Sequence, residues 1–95
     1  MPARLLSPEE IAHRHSEVPE WAIIDKSLRR TVVMPSFPDS IDFVNDVAQL
    51  AEGANHHPDI DIRLRKVTLL LTTHSVGGLT QNDFILAAQI DGLLR

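Results

Sequence analysis

Ninety-five residues make one domain, 1–95, with room for a single core. At 43% apolar and 23% charged the composition excludes disorder, and the lack of cysteine excludes disulfides, thiolate nucleophiles and sulfur-ligated metals. A formal net charge of −4 argues against a nucleic-acid surface, since neutralising phosphates needs a basic excess.

At the start of the chain, Met1 to Leu6 is too short and too soon polar for a signal peptide. Ser7-Pro8-Glu9-Glu10 predicts a helix start: serine caps, proline takes the first helical position and Glu10 completes a capping box. Ile11 and Ala12 give that helix a modest apolar face, and it is expected to end near Val18-Pro19. Trp21 to Ile24 reads as a short strand, with the lone tryptophan expected in the core. Asp25-Lys26-Ser27 is a turn, and Leu28 to Met34 a second strand rich in β-branched residues.

Ser36 with Asp39 opens the longest helix. Its apolar residues Ile41, Val44, Ala48 and Ala51 recur at helical spacing, flanked by Phe43, Val47 and Leu50. Gly53 comes near its C-terminal end, and Asn55 suits a helix exit. Ile60 to Leu64 alternates as a half-buried strand does. Arg65-Lys66 is a tight connection or a continuation, and Val67 to Thr73 is the strongest strand signal, with His74 at its end. Gly77-Gly78 marks a turn, and Thr80 with Asp83 opens a last helix through Leu94. No apolar run approaches the roughly 20 residues that span a bilayer, so a cytoplasmic protein without membrane contact is expected.

The order αββαββα places two hairpins on either side of a helix. This predicts an α+β fold, a four-stranded antiparallel sheet with three helices on one face. A domain this short buries only about 60–65% of its unfolded surface, which makes oligomerisation a natural supplement.

Three of the five histidines, His56, His57 and His74, fall in one short region. Imidazole titrates near neutral pH, so two such rings flanking a substrate can serve as base and acid. A strand-end His74 would be a rigid platform for aiming a ring. Against this stand an exposed His57 beside a loop, an edge-bound His74, or a zinc site drawing on Glu52, Asp59 or Asp61. Adjacent histidines rarely ligate one ion together, and no metal is expected. His13 and His15 lie on the first helix and read as surface residues. Asp83 either caps the last helix or orders the loop presenting His74. Ser75 beside His74 is a poor nucleophile–base pair, because strand neighbours point to opposite faces.

Glu52, Asn55-His56-His57-Pro58, Lys66-Val67, Thr72-Thr73-His74, Gly77-Gly78-Leu79-Thr80 and Asp83 together resemble the signature of the pterin-4a-carbinolamine dehydratase family. The likeness runs over essentially the whole chain, more weakly at Pro19-Glu20-Trp21. It implies removal of water from a 4a-hydroxytetrahydropterin to give a quinonoid dihydropterin, with no metal or organic cofactor. By position, His56 and His74 would be the acid/base pair. His57, Pro58 and Thr73 would bind the pterin, with Asp83 and Asn55 in support. A homodimer or homotetramer is implied. Relatives that act through protein contacts offer the alternative of an inactive dehydratase-like RuBisCO assembly factor of the α-carboxysome. Leu64 stands where the family pattern has an aromatic, and Arg30 to Met34 lacks the phenylalanines often found there.

Overall fold

The computed structural model describes residues 3–95; Met1 and Pro2, the first two residues of the segment judged too short for a signal peptide, lie outside them. Eight residues form helix α1, Pro8–His15. Strands β1, Ala22–Ile24, and β2, Ser27–Val33, follow, and then the long helix α2, Phe37–Ala54. Strands β3, Asp59–Arg63, and β4, Lys66–Leu71, come next. A 3-10 turn, His74–Val76, leads into helix α3, Gln81–Gly92. The sheet is antiparallel throughout, in the order β1-β2-β4-β3. The expected α+β order is therefore the observed one.

Strand alternation divides the sheet into two faces. Leu28, Val67, Leu69 and Leu71 point inward and are buried, while Arg29, Thr31, Asp59, Asp61 and Lys66 lie exposed on the other side. Phe43, Val47 and Ala51 of α2 and Phe84, Leu86, Ala87 and Ile90 of α3 close over the inner face, joined by Ile11 of α1. Fully burying each large apolar side chain contributes about 1.5–3 kcal/mol. Among the described residues, no helix is long and apolar enough to cross a membrane.

Local chemistry sets the helix ends. Ser7 and Glu10 form the expected capping box, and Ser36 Oγ accepts the Asp39 amide at 3.2 Å. Arg4 donates two bonds to the Glu10 carboxylate, at 3.0 and 2.9 Å. That guanidinium, helped by the Ser7 amide, holds the Glu10 carboxyl down at about 2. Helix α1 stops at His15 rather than near Val18, because its last turn has another task. His15 Nε2 donates to the Trp21 carbonyl at 2.5 Å, so this ring is a brace and not a surface residue; His13 is exposed as expected.

Helix α2 buries a different stripe from the one its pattern suggests. Ser40, Phe43, Val47 and Ala51 face the core, Ile41 and Val44 are half-buried, and Ala48 is exposed. The helix is apolar on two sides, and Ser40 is acceptable inside because its hydroxyl donates to the Ser36 carbonyl at 3.3 Å. Trp21 is fully buried, and its indole N–H donates to Asp91 Oδ1 at 2.8 Å, where Arg30 donates at 2.5 Å. This knot joins the entry to β1, the middle of β2 and the last turn of α3.

Candidate active site

The histidine pair sits where α2 is turned back toward the sheet. Asn55 takes the left-handed conformation, φ 49°, that ends the helix, a role its short polar side chain tolerates. Gly53 remains inside α2, with Asn55 as the cap. The His56 amide then donates to the Ala51 carbonyl at 3.1 Å, an acceptor it shares with the Asn55 amide, and so closes the last turn. His56, His57 and a half-buried Pro58 lead directly into β3.

The two rings leave this short segment with different partners. His56 Nε2 lies 2.6 Å from Asp83 Oδ1, the imidazole 12% exposed and the carboxylate fully buried. His57 Nε2 lies 2.5 Å from Glu52 Oε2, one turn back on α2, with the two side chains 56% and 77% exposed. The sequence names Glu52 in its pattern but gives it no partner. A glutamate in the last turn of a helix, five residues before a histidine beyond the cap, is the signal that could have suggested one.

His74 does not end a strand. Strand β4 stops at Leu71, and Thr73 instead pairs with Gly78 in an isolated bridge, Thr73 N to Gly78 O at 3.0 Å. The four residues between them form a closed loop. The amides of Val76 and Gly77 donate to the Thr73 carbonyl at 3.2 and 3.0 Å, and Gly77 adopts φ 71° to close it. His74 is exposed at the head of this 3-10 turn, and Ser75 beside it is exposed too, in a turn and not on a strand. Thr72 Oγ1 anchors the loop by donating to the Lys26 carbonyl of the β1–β2 turn at 2.7 Å.

Thr73 is buried, and its hydroxyl faces inward, donating to Asp83 Oδ2 at 2.9 Å. Asp83 also accepts the Thr80 amide at 2.9 Å as the third residue of α3, completing a second capping box. Both sequence-level roles of Asp83 thus coexist: it caps α3, and it reaches the residue that precedes His74. The same carboxylate joins His56 to the His74 loop across three elements. No buried side-chain nitrogen or oxygen among the described residues lacks a partner. No three histidine, aspartate or glutamate side chains among them converge as a metal-ligand set.

Leu64 stands apart from all of this. It is 70% exposed, in the left-handed conformation (φ 56°), at the tip of the β3–β4 hairpin. The histidine pair precedes the opposite end of β3, so the five residues of the strand, roughly 17 Å at 3.3–3.4 Å each, separate the two.

Comparison with known proteins matches the chain to one family. The family model described as pterin 4 alpha carbinolamine dehydratase matches residues 4–93. A protein of Roseiflexus sp. (strain RS-1), provisionally named pterin-4-alpha-carbinolamine dehydratase, is 55% identical over 97% of this chain and 99% of its own. A protein of Nocardia farcinica with the same provisional name is 52% identical over the whole of both chains. Among solved structures, a transcriptional coactivator/pterin dehydratase from Brucella melitensis superposes with a TM-score of 0.90 over 95% of this chain and 98% of that one, at 24% identity. A pterin dehydratase-like protein identified as a RuBisCO assembly factor in the α-carboxysome superposes with a TM-score of 0.63, over 77% of this chain and 84% of that one, at 22% identity. These two structures share the fold; the family model and the close relatives carry the assignment. A chain matched over residues 4–93, with half its residues shared by such relatives, belongs to the pterin 4 alpha carbinolamine dehydratase family.

Proposed function

We propose that this protein dehydrates a 4a-hydroxytetrahydropterin to the quinonoid dihydropterin, using His56 and His74 as its acid/base pair. The observation that carries the reading is the His56–Asp83 pair, a nearly buried imidazole backed by a fully buried carboxylate. Hydroxide is a poor leaving group, so the 4a-oxygen takes a proton as the C4a–O bond breaks and water departs. The neighbouring ring nitrogen gives up its proton, and its electron pair forms the new C=N bond. Each such proton transfer by a positioned side chain contributes about 10²–10⁴-fold.

His56 suits the base, because Asp83 stabilises the positive charge that develops as the ring takes the proton. His74, exposed on its closed loop, suits the acid at the departing oxygen. His57 and Pro58 line the approach and orient the pterin. Thr73, with its hydroxyl turned inward, supports the site through Asp83 rather than by touching substrate. Asn55 supports it by setting the direction in which the histidine pair leaves α2. The reaction calls on no metal or organic cofactor, and a homodimer or homotetramer in the cytoplasm is the expected form.

Decay of 4a-hydroxypterin absorbance tests this. Wild-type protein should accelerate the decay, and His56→Ala and His74→Ala should each return it toward the uncatalysed rate. Wild-type decay no faster than buffer, in folded protein, would sink the dehydratase reading and turn attention to protein partners such as RuBisCO.

A further inference from the structure

Asp83 collects more hydrogen bonds than a helix cap requires. A capping box needs only the Thr80 amide, 2.9 Å from Oδ2. The Thr73 hydroxyl donates to the same oxygen at 2.9 Å, and it also stands 2.8 Å from the Thr80 hydroxyl. Both threonines are buried, at 6% and 1% exposure. A valine would fill the same volume at position 73 without the cost of desolvating a hydroxyl. The helix does not call for that hydroxyl, so it serves something else.

With Asp83 a carboxylate, the bonds have one consistent direction. A hydroxyl carries a single proton. Thr73 spends its proton on Asp83, so the bond between the threonines runs from Thr80 to Thr73. Thr80 Oγ1 in turn accepts the Asn82 amide at 3.2 Å, as an oxygen must whose own proton points elsewhere. As a carboxylate, Asp83 offers acceptors only: two donors converge on Oδ2, and His56 Nε2 lies 2.6 Å from Oδ1.

We propose that Thr80 and Thr73 form a one-way hydroxyl chain that keeps Asp83 an acceptor and thereby locks the His56 proton on Nε2. Nδ1 is then the nitrogen left for the substrate. Thr73 and Thr80 are positioning residues: they act on the reaction only through Asp83 and the tautomer of His56. The chain is assembled by the Thr73–Gly78 bridge, which brings two hydroxyls seven residues apart into contact. The catalytic part of the proposal rests on the dehydratase reading; the tautomer lock does not.

Long-range ¹H–¹⁵N correlation spectra of the histidine rings test the lock without any substrate. At a pH where the His56 ring is neutral, the wild-type ring should carry its proton on Nε2, with Nδ1 bare. Thr73→Val removes one donor from Asp83 and strands the Thr80 hydroxyl. It should move the tautomer ratio about fivefold or more toward Nδ1–H, the effect of one net hydrogen bond. The same variant should lose about tenfold in kcat with KM nearly unchanged, as expected for a group acting in the transition state alone. Thr73→Ser should restore both. A wild-type ring protonated on Nδ1 overturns the proposal outright and needs no variant to fold. So does a folded Thr73→Val protein with an unchanged ratio, or one whose ratio shifts while kcat does not. A locked Nε2–H ring in a protein without dehydratase activity supports the lock and removes the proposed reaction instead.

Discussion

His56 and His57 are neighbours in the chain, and each brings Nε2 to within hydrogen-bonding distance of a carboxylate. His56 meets an aspartate that is wholly buried and already engaged by two other donors. His57 meets a glutamate on the surface of α2, and both partners stand largely in water. The difference lies in where the two rings go beyond the left-handed Asn55: His56 reaches across to α3, and His57 back to the last turn of α2. An exposed ion pair is worth only about 0–1 kcal/mol and leaves both side chains free to rearrange around a ligand. A buried, fully satisfied carboxylate holds one orientation and is costly to disturb. One pair is thus built to hold a direction, and the other to yield.

The most severe way to break this contrast is Asp83→Ala. It strands the His56 ring, the Thr73 hydroxyl and the Thr80 amide, and urea unfolding should show a loss of about 3 kcal/mol, the range for removing one partner of a buried pair. Asp83→Asn is gentler on the fold and sharper on the chemistry. Its carboxamide can keep its oxygen toward the two donors only by offering its NH₂ to His56, which demands the opposite tautomer. Dehydration should fall by about 10²-fold or more while the protein stays folded. Glu52→Gln should change stability by less than about 0.5 kcal/mol and raise KM by only about threefold in the same assay. If it cost as much as Asp83→Asn, the two pairs would not differ in the way the geometry indicates.

The smallest effect concerns an exposed pair at the start of α1. Arg4 lowers the Glu10 carboxyl from 4.5 to about 2, so the pair stabilises the fold above the ordinary carboxylate range and that contribution is lost as pH falls toward 2. Arg4→Ala should move the onset of acid unfolding slightly upward, visible by circular dichroism between pH 4.5 and 2, with no change at neutral pH in the His56 tautomer.

Much of the fold was legible because its signals are local. Ser7 with Glu10, Ser36 with Asp39 and Thr80 with Asp83 each state a helix start within four residues, and each is found. What the sequence concealed depends on contacts between distant residues. Nothing near His15 announces the Trp21 carbonyl, and nothing near Asp91 announces both Trp21 and Arg30, 70 and 61 residues away. The inward stripe of α2 is hidden in the pattern because apolar residues lie on both its sides and a buried serine satisfies its hydroxyl in a local bond. His74 reads as a strand end because the strand-forming run continues to Thr73, whereas the Thr73–Gly78 bridge bends those residues into a loop. The missing aromatic at Leu64 proves to be a hairpin-tip question. At the site itself, His56, His57 and Asp83 could be named from the family pattern. Which ring meets which carboxylate required the fold.

The Trp21 knot has a practical consequence. The chain has one tryptophan and no tyrosine, and that tryptophan is fully buried with its N–H bound to Asp91. Its fluorescence therefore reports a single place, the seam between β1, β2 and the end of α3. Unfolding must carry the indole from an apolar seat into water and shift its emission to longer wavelength. The protein carries its own optical gauge of the native state, against which every variant above can be titrated without a label.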